Sequence, residues 1–276
     1  MTINAFSIDL EDWFCVQNLT EVIPFEQWDG CESRIEKNTR RLLDTLKQHD
    51  VRGTFFVLGW IAERYPGLVR AIAAGGHEIA SHGYGHLIVK HLQPQEFEAD
   101  LTKSLDILTQ ITGVRPIGYR APSFSVDTRK MWIFDILARH GIKYDSSVFP
   151  FKFHPDYGND QIRLSPYNLS DGMIEFPMGC FKVFRWTVPC CGGGYFRLFP
   201  YRFISYGIRQ CNREGRPVAF YIHPWEIDDK QPRVKIAPVK SFRHYVNLDK
   251  TLGRLEKLLD EFRFDAYRTV LNIGES

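Results

Sequence analysis

Short apolar runs alternate with longer amphipathic segments along most of this 276-residue chain, and this alternation constrains its fold more than any other feature. The apolar runs are short and are typical of buried strands. The segments between them have helical spacing, as in 95–112, and two of them end at glycines, 75–76 and 141. Strands that alternate with helices predict a mostly parallel sheet, and the chain length suits one α/β barrel.

The predicted elements follow from this pattern. Strands are predicted at 4–10, 54–58, 77–81, 117–119, 142–145 and 218–222, and helices at 33–47, 61–74, 95–112, 128–140, 201–212 and 248–261. A capping box is predicted at Ser33 and Glu36. The long segment 149–200 includes an apolar run at 173–178 that predicts a strand, and 262–271 alternates like an edge strand.

Composition limits the function classes. The net charge of +2 gives no reason to expect a nucleic-acid or membrane surface, and no run is apolar enough to predict a transmembrane segment. The six cysteines lack paired C-x-x-C spacing and predict reduced, buried thiols. Residues 1–4 lack the basic start of a signal peptide, so we expect a cytoplasmic protein. The sequence leaves the oligomeric state open.

Ionisable side chains follow several predicted strands directly. They are Asp9, His82, Arg120, Asp145 and His223. The carboxyl ends of the strands of an α/β barrel meet on one face. We therefore expect these side chains to form one site.

The sharpest motif is Ser81-His82-Gly83-Tyr84-Gly85-His86, in which two imidazoles lie four residues apart around a glycine turn. A catalytic zinc site needs about three protein ligands, so two histidines need one carboxylate. The alternative is a pair of ordinary loop histidines, which the spacing alone does not exclude. The carboxylates are available in 9–12, Asp-Leu-Glu-Asp, where one can bind a metal while another acts as a general base. Without a metal, this segment is a solvated acidic turn.

Two further strand ends complete the hypothesis. Arg120 is a candidate partner for a carboxylate, with Pro122 fixing the turn that follows it. His223 is a candidate proton donor, and Trp225 is a candidate for stacking on a sugar or for packing on the barrel rim. Each of these residues, taken singly, is more often structural.

Together these residues resemble the polysaccharide deacetylase family, carbohydrate esterase family 4, from about residue 5 to 224. The resemblance implies a distorted (β/α)7-type barrel and metal-dependent removal of N-acetyl groups from an amino sugar or polysaccharide precursor. The implied roles are Asp9 as general base, His82 and His86 as metal ligands, Arg120 with Pro122 as orienting group and groove wall, Asp145 as a partner for Arg120 or His223, and His223 as general acid. The implied cofactor is a divalent metal, zinc first, with cobalt, manganese or nickel as alternatives.

Two departures from the family pattern matter. Gly83 replaces the usual serine or threonine after the first histidine. The first motif has an extra residue after Asp9, so the metal carboxylate is either Glu11 or Asp12, and Glu11 is slightly favoured.

The segments 9–13, 192–197 and 223–226 resemble a narrower subgroup linked to exosortase/PEP-CTERM exopolysaccharide loci. That resemblance implies one domain over 1–276 with a family-specific extension from about 225–276, and a saccharide precursor as substrate. In the long segment, Tyr195 and Arg197 are candidates for substrate contact or packing. The backbone near Ser123 is a candidate oxyanion donor.

Two other functions stay open. The first is hydrolysis of a cyclic amide or imide at the same metal site, as in allantoinase-like relatives, which a narrow closed pocket would favour. The second is a non-catalytic sugar-binding protein on a decayed barrel. Joint retention of Asp9, His82, His86, Arg120 and His223 argues against decay.

Overall fold

The strands and helices alternate as the sequence predicts. The structure, a computed structural model, describes residues 2–151, 163–169 and 172–274. Its strands are β1 (Asn4–Leu10), β2 (Thr54–Val57), β3 (Glu78–Ser81), β4 (Gly118–Tyr119), β5 (Tyr144–Asp145), β6 (Tyr167–Asn168), β7 (Ile174–Glu175), β8 (Cys180–Val183), β9 (Trp186–Pro189), β10 (Ala219–Ile222) and β11 (Phe264–Asp265). Its helices are α1 (Ile35–Gln48), α2 (Gly59–Arg64), α3 (Pro66–Ala74), α4 (Pro94–Thr112), α5 (Trp132–Arg139), α6 (Gly193–Leu198), α7 (Tyr201–Arg213), α8 (Pro238–Tyr245), α9 (Leu248–Glu261) and α10 (Tyr267–Val270).

A curled, mostly parallel sheet forms the centre of the fold. Its strand order is β10-β1-β2-β3-β4-β5-β7-β6, and β11 also pairs with β1. A single parallel bridge between Met178 and Ala219 joins the region after β7 to β10. In the part of the chain that the structure describes, seven parallel strands thus curl into a ring, with β6 antiparallel outside it. The predicted distorted (β/α)7-type barrel is confirmed.

In the described ranges, strand β1 pairs with more strands of this sheet than any other strand does. All of its residues are buried, and it pairs with β2, β10 and β11. A strand covered on both faces is expected to be a nearly continuous apolar run. Ser7 and Asp9 break that run and are buried polar groups that need partners.

Three predicted elements differ from the structure for local reasons. The helix predicted over 61–74 is split at Tyr65, because the following Pro66 disfavours helical backbone at that residue. The helix predicted over 128–140 is shorter and begins at Trp132. The edge strand predicted over 262–271 is reduced to Phe264–Asp265, and Tyr267–Val270 is a helix.

The capping box predicted at Ser33 is wrong. The N-cap of α1 is Arg34, which makes no capping hydrogen bond with its own side chain. The carboxylate of Asp12 accepts hydrogen bonds from the backbone N–H of Arg34 at 2.9 Å and of Ile35 at 3.2 Å. The Ser33 hydroxyl donates to the same oxygen at 2.6 Å. A residue distant in sequence therefore caps this helix and ties it to the end of β1.

The cysteines are in the state that the sequence predicts. The six cysteines are free, as predicted, and five are buried, with Cys31 half-buried. In the described ranges, no helix combines the length and the apolar character that a bilayer-crossing segment requires.

Candidate functional site

The end of β1 brings two acidic side chains to the same place. Alternate residues of an extended strand point to the same side, so Asp9 and Glu11 share a direction while Leu10 lies in the core. The Glu11 N–H donates to the Asp9 carbonyl at 2.9 Å, which forms a tight turn at the strand end. Both carboxylates are almost fully buried.

The turn after β3 positions the two histidines. The backbone N–H groups of Tyr84 and Gly85 donate to the Asp100 carboxylate of α4 at 2.8 and 3.0 Å. Gly83 has a φ of +72°, and a Cβ at that position would lie 2.6 Å from Asp100 Oδ2. This contact explains why glycine stands where the family uses serine or threonine. The turn leaves His82 and His86 facing the end of β1.

Glu11 and the two histidines form a compact group of metal-ligand type. Glu11 Oε1 lies 2.9 Å from His82 Nε2 and 3.1 Å from His86 Nε2. The three donor atoms lie within 4.8 Å of one another, and all three residues are buried. Burial by itself raises the pKa of Glu11, but His86 and His223 outweigh it and hold this pKa well below its usual value.

The tautomer of His82 determines which of its ring nitrogens can bind a metal. Its Nδ1 lies 2.7 Å from the carbonyl oxygen of Arg120. A carbonyl only accepts, so Nδ1 carries the proton and the Nε2 of the neutral ring is bare. A bare nitrogen then faces a carboxylate oxygen at 2.9 Å, and two such electron-pair donors attract one another only through a proton or a metal cation between them. The backbone contact that fixes the ligating nitrogen is the usual arrangement of zinc-binding histidines, so the residues fit a divalent metal.

Asp12 lies apart from this group because both of its carboxylate oxygens have other partners. Oδ2 caps α1, and Oδ1 accepts from the Trp13 N–H at 2.8 Å. Of the two carboxylates that the sequence leaves open as ligand, the geometry therefore favours Glu11.

A fully buried arginine holds Asp9. Arg120 Nη1 donates to Asp9 Oδ1 at 2.5 Å and to the Ser7 hydroxyl at 2.8 Å. Its Nη2 donates to the Tyr267 hydroxyl at 2.6 Å and to the Ser146 hydroxyl at 3.1 Å. The other Asp9 oxygen, Oδ2, lies 3.9 Å from His223 Nε2. Arg120 thus orients one oxygen of Asp9 and leaves the other facing His223.

Asp145 does not act as the expected partner of Arg120 or His223. It accepts from the Ser147 hydroxyl at 2.5 Å and lies opposite Glu175 in the β5–β7 register. Burial raises the pKa of both carboxyl groups, and their proximity raises that of Glu175 further. Successive residues of a strand point to opposite faces, so Ser146 rather than Asp145 reaches Arg120. In the described ranges, no hydrogen bond joins Asp145 to either expected partner.

His223 instead has a partner three residues further along the chain. Its Nδ1 lies 2.6 Å from Glu226 Oε1, and Glu226 Oε2 accepts from Arg197 Nε at 2.6 Å. Burial lowers the pKa of His223, but Glu11, Glu226 and Asp9 together raise it to about 9. Burial raises the pKa of Glu226, but Arg197 and His223 bring it to about 2. Glu11, Glu226 and Asp9 thus favour the protonated imidazole that a proton donor needs, and Glu226 is the one that bonds its Nδ1.

The sequence pattern predicted no role for Glu226, and it allowed Arg197 either to contact substrate or to pack in the fold. The signal for Glu226 was its spacing, since Pro224 starts a short helical turn that returns the Glu226 side chain to His223. The Nη1 of Arg197 donates to the carbonyls of His244 at 2.8 Å and Val246 at 3.1 Å, and the residue also lines the cavity in front of Asp9.

Of the residues expected to contact the substrate, some line the cavity and others do not. Trp225 is buried, with its ring between those of His223 at 5.3 Å and His244 at 4.5 Å, and it also lines the cavity in front of Asp9. In the described part of the chain, Ser123 lines the cavity in front of Asp9, whereas Tyr195 and Pro122 do not. Tyr195 packs against other aromatic rings, those of Phe149, Phe151 and Phe199.

The cavity has a volume of about 150 Å³ and contains the candidate chemical groups. Asp9, Glu11, His86 and His223 line it, while Gln17 and Gly194, which are exposed, also border it. Three side-chain-bearing residues that line it have left-handed backbone, namely His86, Ser123 and Phe124 with φ of 52° to 55°. Such conformations cost free energy and are concentrated at functional sites.

Comparison with known proteins finds similar families and relatives. Residues 25–144 match the family model described as polysaccharide deacetylase, and residues 146–272 match a domain of unknown function, DUF3473. The chain is 39% identical over 84 residues to a peptidoglycan-N-acetylglucosamine deacetylase of Bacillus cereus, which is 30% of each protein. It is 34% identical over 119 residues to a peptidoglycan deacetylase of Helicobacter pylori, which is 42% of this chain and 39% of that protein. The chain thus spans well under half the length of these relatives.

Solved structures share the fold. A Mycobacterium smegmatis protein described as a polysaccharide deacetylase aligns with a TM-score of 0.64 at 22% identity, over 98% of this chain and 89% of that chain. A family 4 pseudoenzyme from Bacillus anthracis aligns with a TM-score of 0.52 at 14% identity, over 98% of this chain and 65% of that chain. Since a pseudoenzyme has this fold too, the fold alone does not decide whether a chain is catalytic.

Glu11 and Asp12 have different partners, so we expect their substitution to affect different properties, metal content for Glu11 and stability for Asp12. Glu11→Gln should lose bound metal, because it removes the charged member of the ligand group. Asp12→Asn should keep the metal but lower the free energy of unfolding by about 1–2 kcal/mol, because it weakens the cap of α1. Metal content by elemental analysis and urea unfolding measure the two effects. Loss of metal in Asp12→Asn with full retention in Glu11→Gln would reverse the assignment.

Substitution of Glu226 should affect turnover more than binding. Glu226→Gln removes the negative charge beside His223, and loss of such a supporting contact typically costs about 10- to 100-fold. We expect kcat to fall by that factor while KM and metal content stay unchanged. Asp228→Asn is a suitable control, since Asp228 is a nearby buried acid that bonds Arg34 and Asn38 outside the cavity. Equal losses of kcat in the two variants would show that Glu226 has only a structural role.

Proposed function

We propose that this chain, whose residues 25–144 match the polysaccharide deacetylase family model, is a metal-dependent hydrolase of that family that removes the acetyl group from an N-acetylated sugar. The observation that carries this proposal is the convergence on one cavity of three kinds of group. These are a metal-ligand group around Glu11, a carboxylate at Asp9 and the imidazole of His223, whose Nδ1 is held by Glu226. Metal-assisted hydrolysis of an amide uses each of them, for the metal, the general base and the general acid respectively.

Asp9 is proposed as the general base. Arg120 occupies its Oδ1, so Oδ2 is the oxygen that faces the cavity and can take the proton of an attacking water. The water oxygen then forms a bond to the acetamido carbon. Asp9 and Glu11 leave the same strand end, so the base lies beside the metal ligand.

His223 is proposed as the general acid. Its Nε2 faces Asp9 and Glu11 at 3.9 Å, while its Nδ1 is held by Glu226. It gives its Nε2 proton to the sugar nitrogen as the bond between that nitrogen and the acetyl carbon breaks. The products are acetate and an amino sugar.

The ligand group suits zinc, with cobalt, manganese and nickel as alternatives, because it combines two imidazoles with one carboxylate. A bound divalent ion supplies Lewis-acid polarisation of the carbonyl and a more acidic water. The contribution of the protein is to fix the ligating nitrogen of His82 through the Arg120 carbonyl.

The cavity favours a saccharide over a small cyclic imide. Exposed residues, Gln17 and Gly194, border it, so the ring that carries the acetamide can remain near the surface. The curated relatives named above are peptidoglycan deacetylases, which supports an acetylated amino sugar. We further propose a precursor of an exopolysaccharide as substrate and a cytoplasmic location, which the free thiols support.

Replacement of Asp9 separates the base from the metal site. Asp9→Asn should lower acetate release by about 10²- to 10⁴-fold, because the amide cannot take the proton of the water. Its metal content should match that of the unmodified protein, since Asp9 lies outside the Glu11–His82–His86 group. Acetate release at the original rate would place the base elsewhere.

A substrate panel tests the reaction class. The protein, reconstituted with each metal in turn, is given acetylated glucosamine oligomers, peptidoglycan fragments and cyclic imides, and His82→Ala serves as the metal-free control. We expect acetate release from the saccharides only and none from the control. Turnover of imides alone would assign the site to the allantoinase-like reaction. Saccharide binding without any turnover would identify a sugar-binding protein.

A further inference from the structure

The hairpin of β8 and β9 ends in an aromatic side chain that is almost fully exposed. The strands pair through Val183 and Trp186, so Phe184 and Arg185 form a two-residue turn. Phe184 is 96% exposed and has a φ of +54°, a conformation for which such turns normally use asparagine or glycine. A phenylalanine at this position is unfavourable for folding both in its backbone and in its exposure, so folding does not account for it.

Two more exposed aromatic side chains border the hairpin. Trp186 is 46% exposed, and Tyr206 of α7 is 56% exposed. The ring of Phe181 joins the two elements, since it lies 6.0 Å from the ring of Tyr206. Gln210 of α7 also donates to the carbonyl of Lys182 at 3.2 Å. The hairpin and α7 therefore present one continuous surface.

Basic residues surround these rings. Helix α7 exposes Arg202, Tyr206, Arg209 and Arg213 at the spacing of a single helix face. Lys182 and Arg185 are exposed on the hairpin. We call this set the aromatic–basic surface: Lys182, Phe184, Arg185, Trp186, Arg202, Tyr206, Arg209 and Arg213.

The acidic groups near this surface are already neutralised. Glu214 binds Arg216 at 2.5 Å, and Glu261 binds Arg209 at 2.8 Å. Over the ranges that the structure covers, Lys182, Arg185, Arg202 and Arg213 form no ion pair with an acid. The net charge of the whole chain is only +2, which is why composition gave no sign of this local excess.

We propose that the aromatic–basic surface docks the protein on a bilayer that contains anionic lipids. Tryptophan and tyrosine favour the interface between headgroups and acyl chains, and a projecting phenylalanine gains from leaving water there. Lysine and arginine bind the anionic headgroups, with about a fivefold gain in partitioning for each residue near the surface. The hairpin tip brings Phe184 into the interface while the arginines of α7 lie over the headgroups.

Vesicle sedimentation tests this proposal with the full chain. We expect the protein to sediment with vesicles of phosphatidylcholine mixed with phosphatidylserine, less so as salt rises, and not with phosphatidylcholine alone. Phe184→Asn should raise the thermal unfolding midpoint, because asparagine tolerates the turn conformation, and yet should weaken vesicle binding several-fold. A purely structural role for Phe184 would not produce opposite changes in stability and binding.

Charge variants and a matched surface control complete the test. Arg185→Glu and Arg213→Glu should each weaken binding about fivefold or more. Val114→Ser, which removes an apolar side chain that is 64% exposed on the loop after α4, should bind like the unmodified protein. The proposal is overturned if the unmodified protein stays in the supernatant with anionic vesicles, or if Phe184→Asn binds them equally well. Acetate release is not the readout, so this result is independent of the proposed reaction.

Discussion

The buried contact between Arg120 and Asp9 is the interaction on which the rest of the site depends. A guanidinium without exposure needs partners for all of its N–H groups, since an uncompensated buried charge costs several kcal/mol. The fold supplies them from segments that are far apart in sequence, through Ser7, Asp9, Ser146 and Tyr267. The Arg120 carbonyl also fixes the His82 ring, so a single residue orients both the proposed base and a proposed metal ligand.

The site is shared between the two matched segments and the residues before them. Asp9 and Glu11 come from the first strand, and His82, His86 and Arg120 come from the polysaccharide deacetylase segment. The segment of unknown function supplies Ser146, Arg197, His223, Glu226 and Tyr267. The partners of both the base and the acid thus depend on this second segment, which gives a physical reason for its presence beside the first.

The strand ends and the ligand pair were predictable from the sequence, because apolar runs followed by ionisable residues have few interpretations on a parallel sheet. The choice of Glu11 or Asp12 as the metal ligand was not predictable from the sequence. It depends on which carboxylate caps α1, and that cap is a contact with residues 33–35. The Asp145 expectation failed because its direction is set by strand alternation, which assigns the contact to Ser146. Tyr267 lies in a segment whose alternation favoured a strand, and only tertiary packing brings it to Arg120.

The 3-10 turn at Pro224–Ile227 places the proposed proton donor, His223, next to its own hydrogen-bond partner. His223 and Glu226, the carboxylate that binds its Nδ1, lie within four consecutive residues, so this contact does not depend on another strand of the barrel. Insertions or deletions in loops on the far side of the ring would leave this pair intact. The proposed acid and the partner of its Nδ1 can therefore be inherited together while the loops around the cavity change.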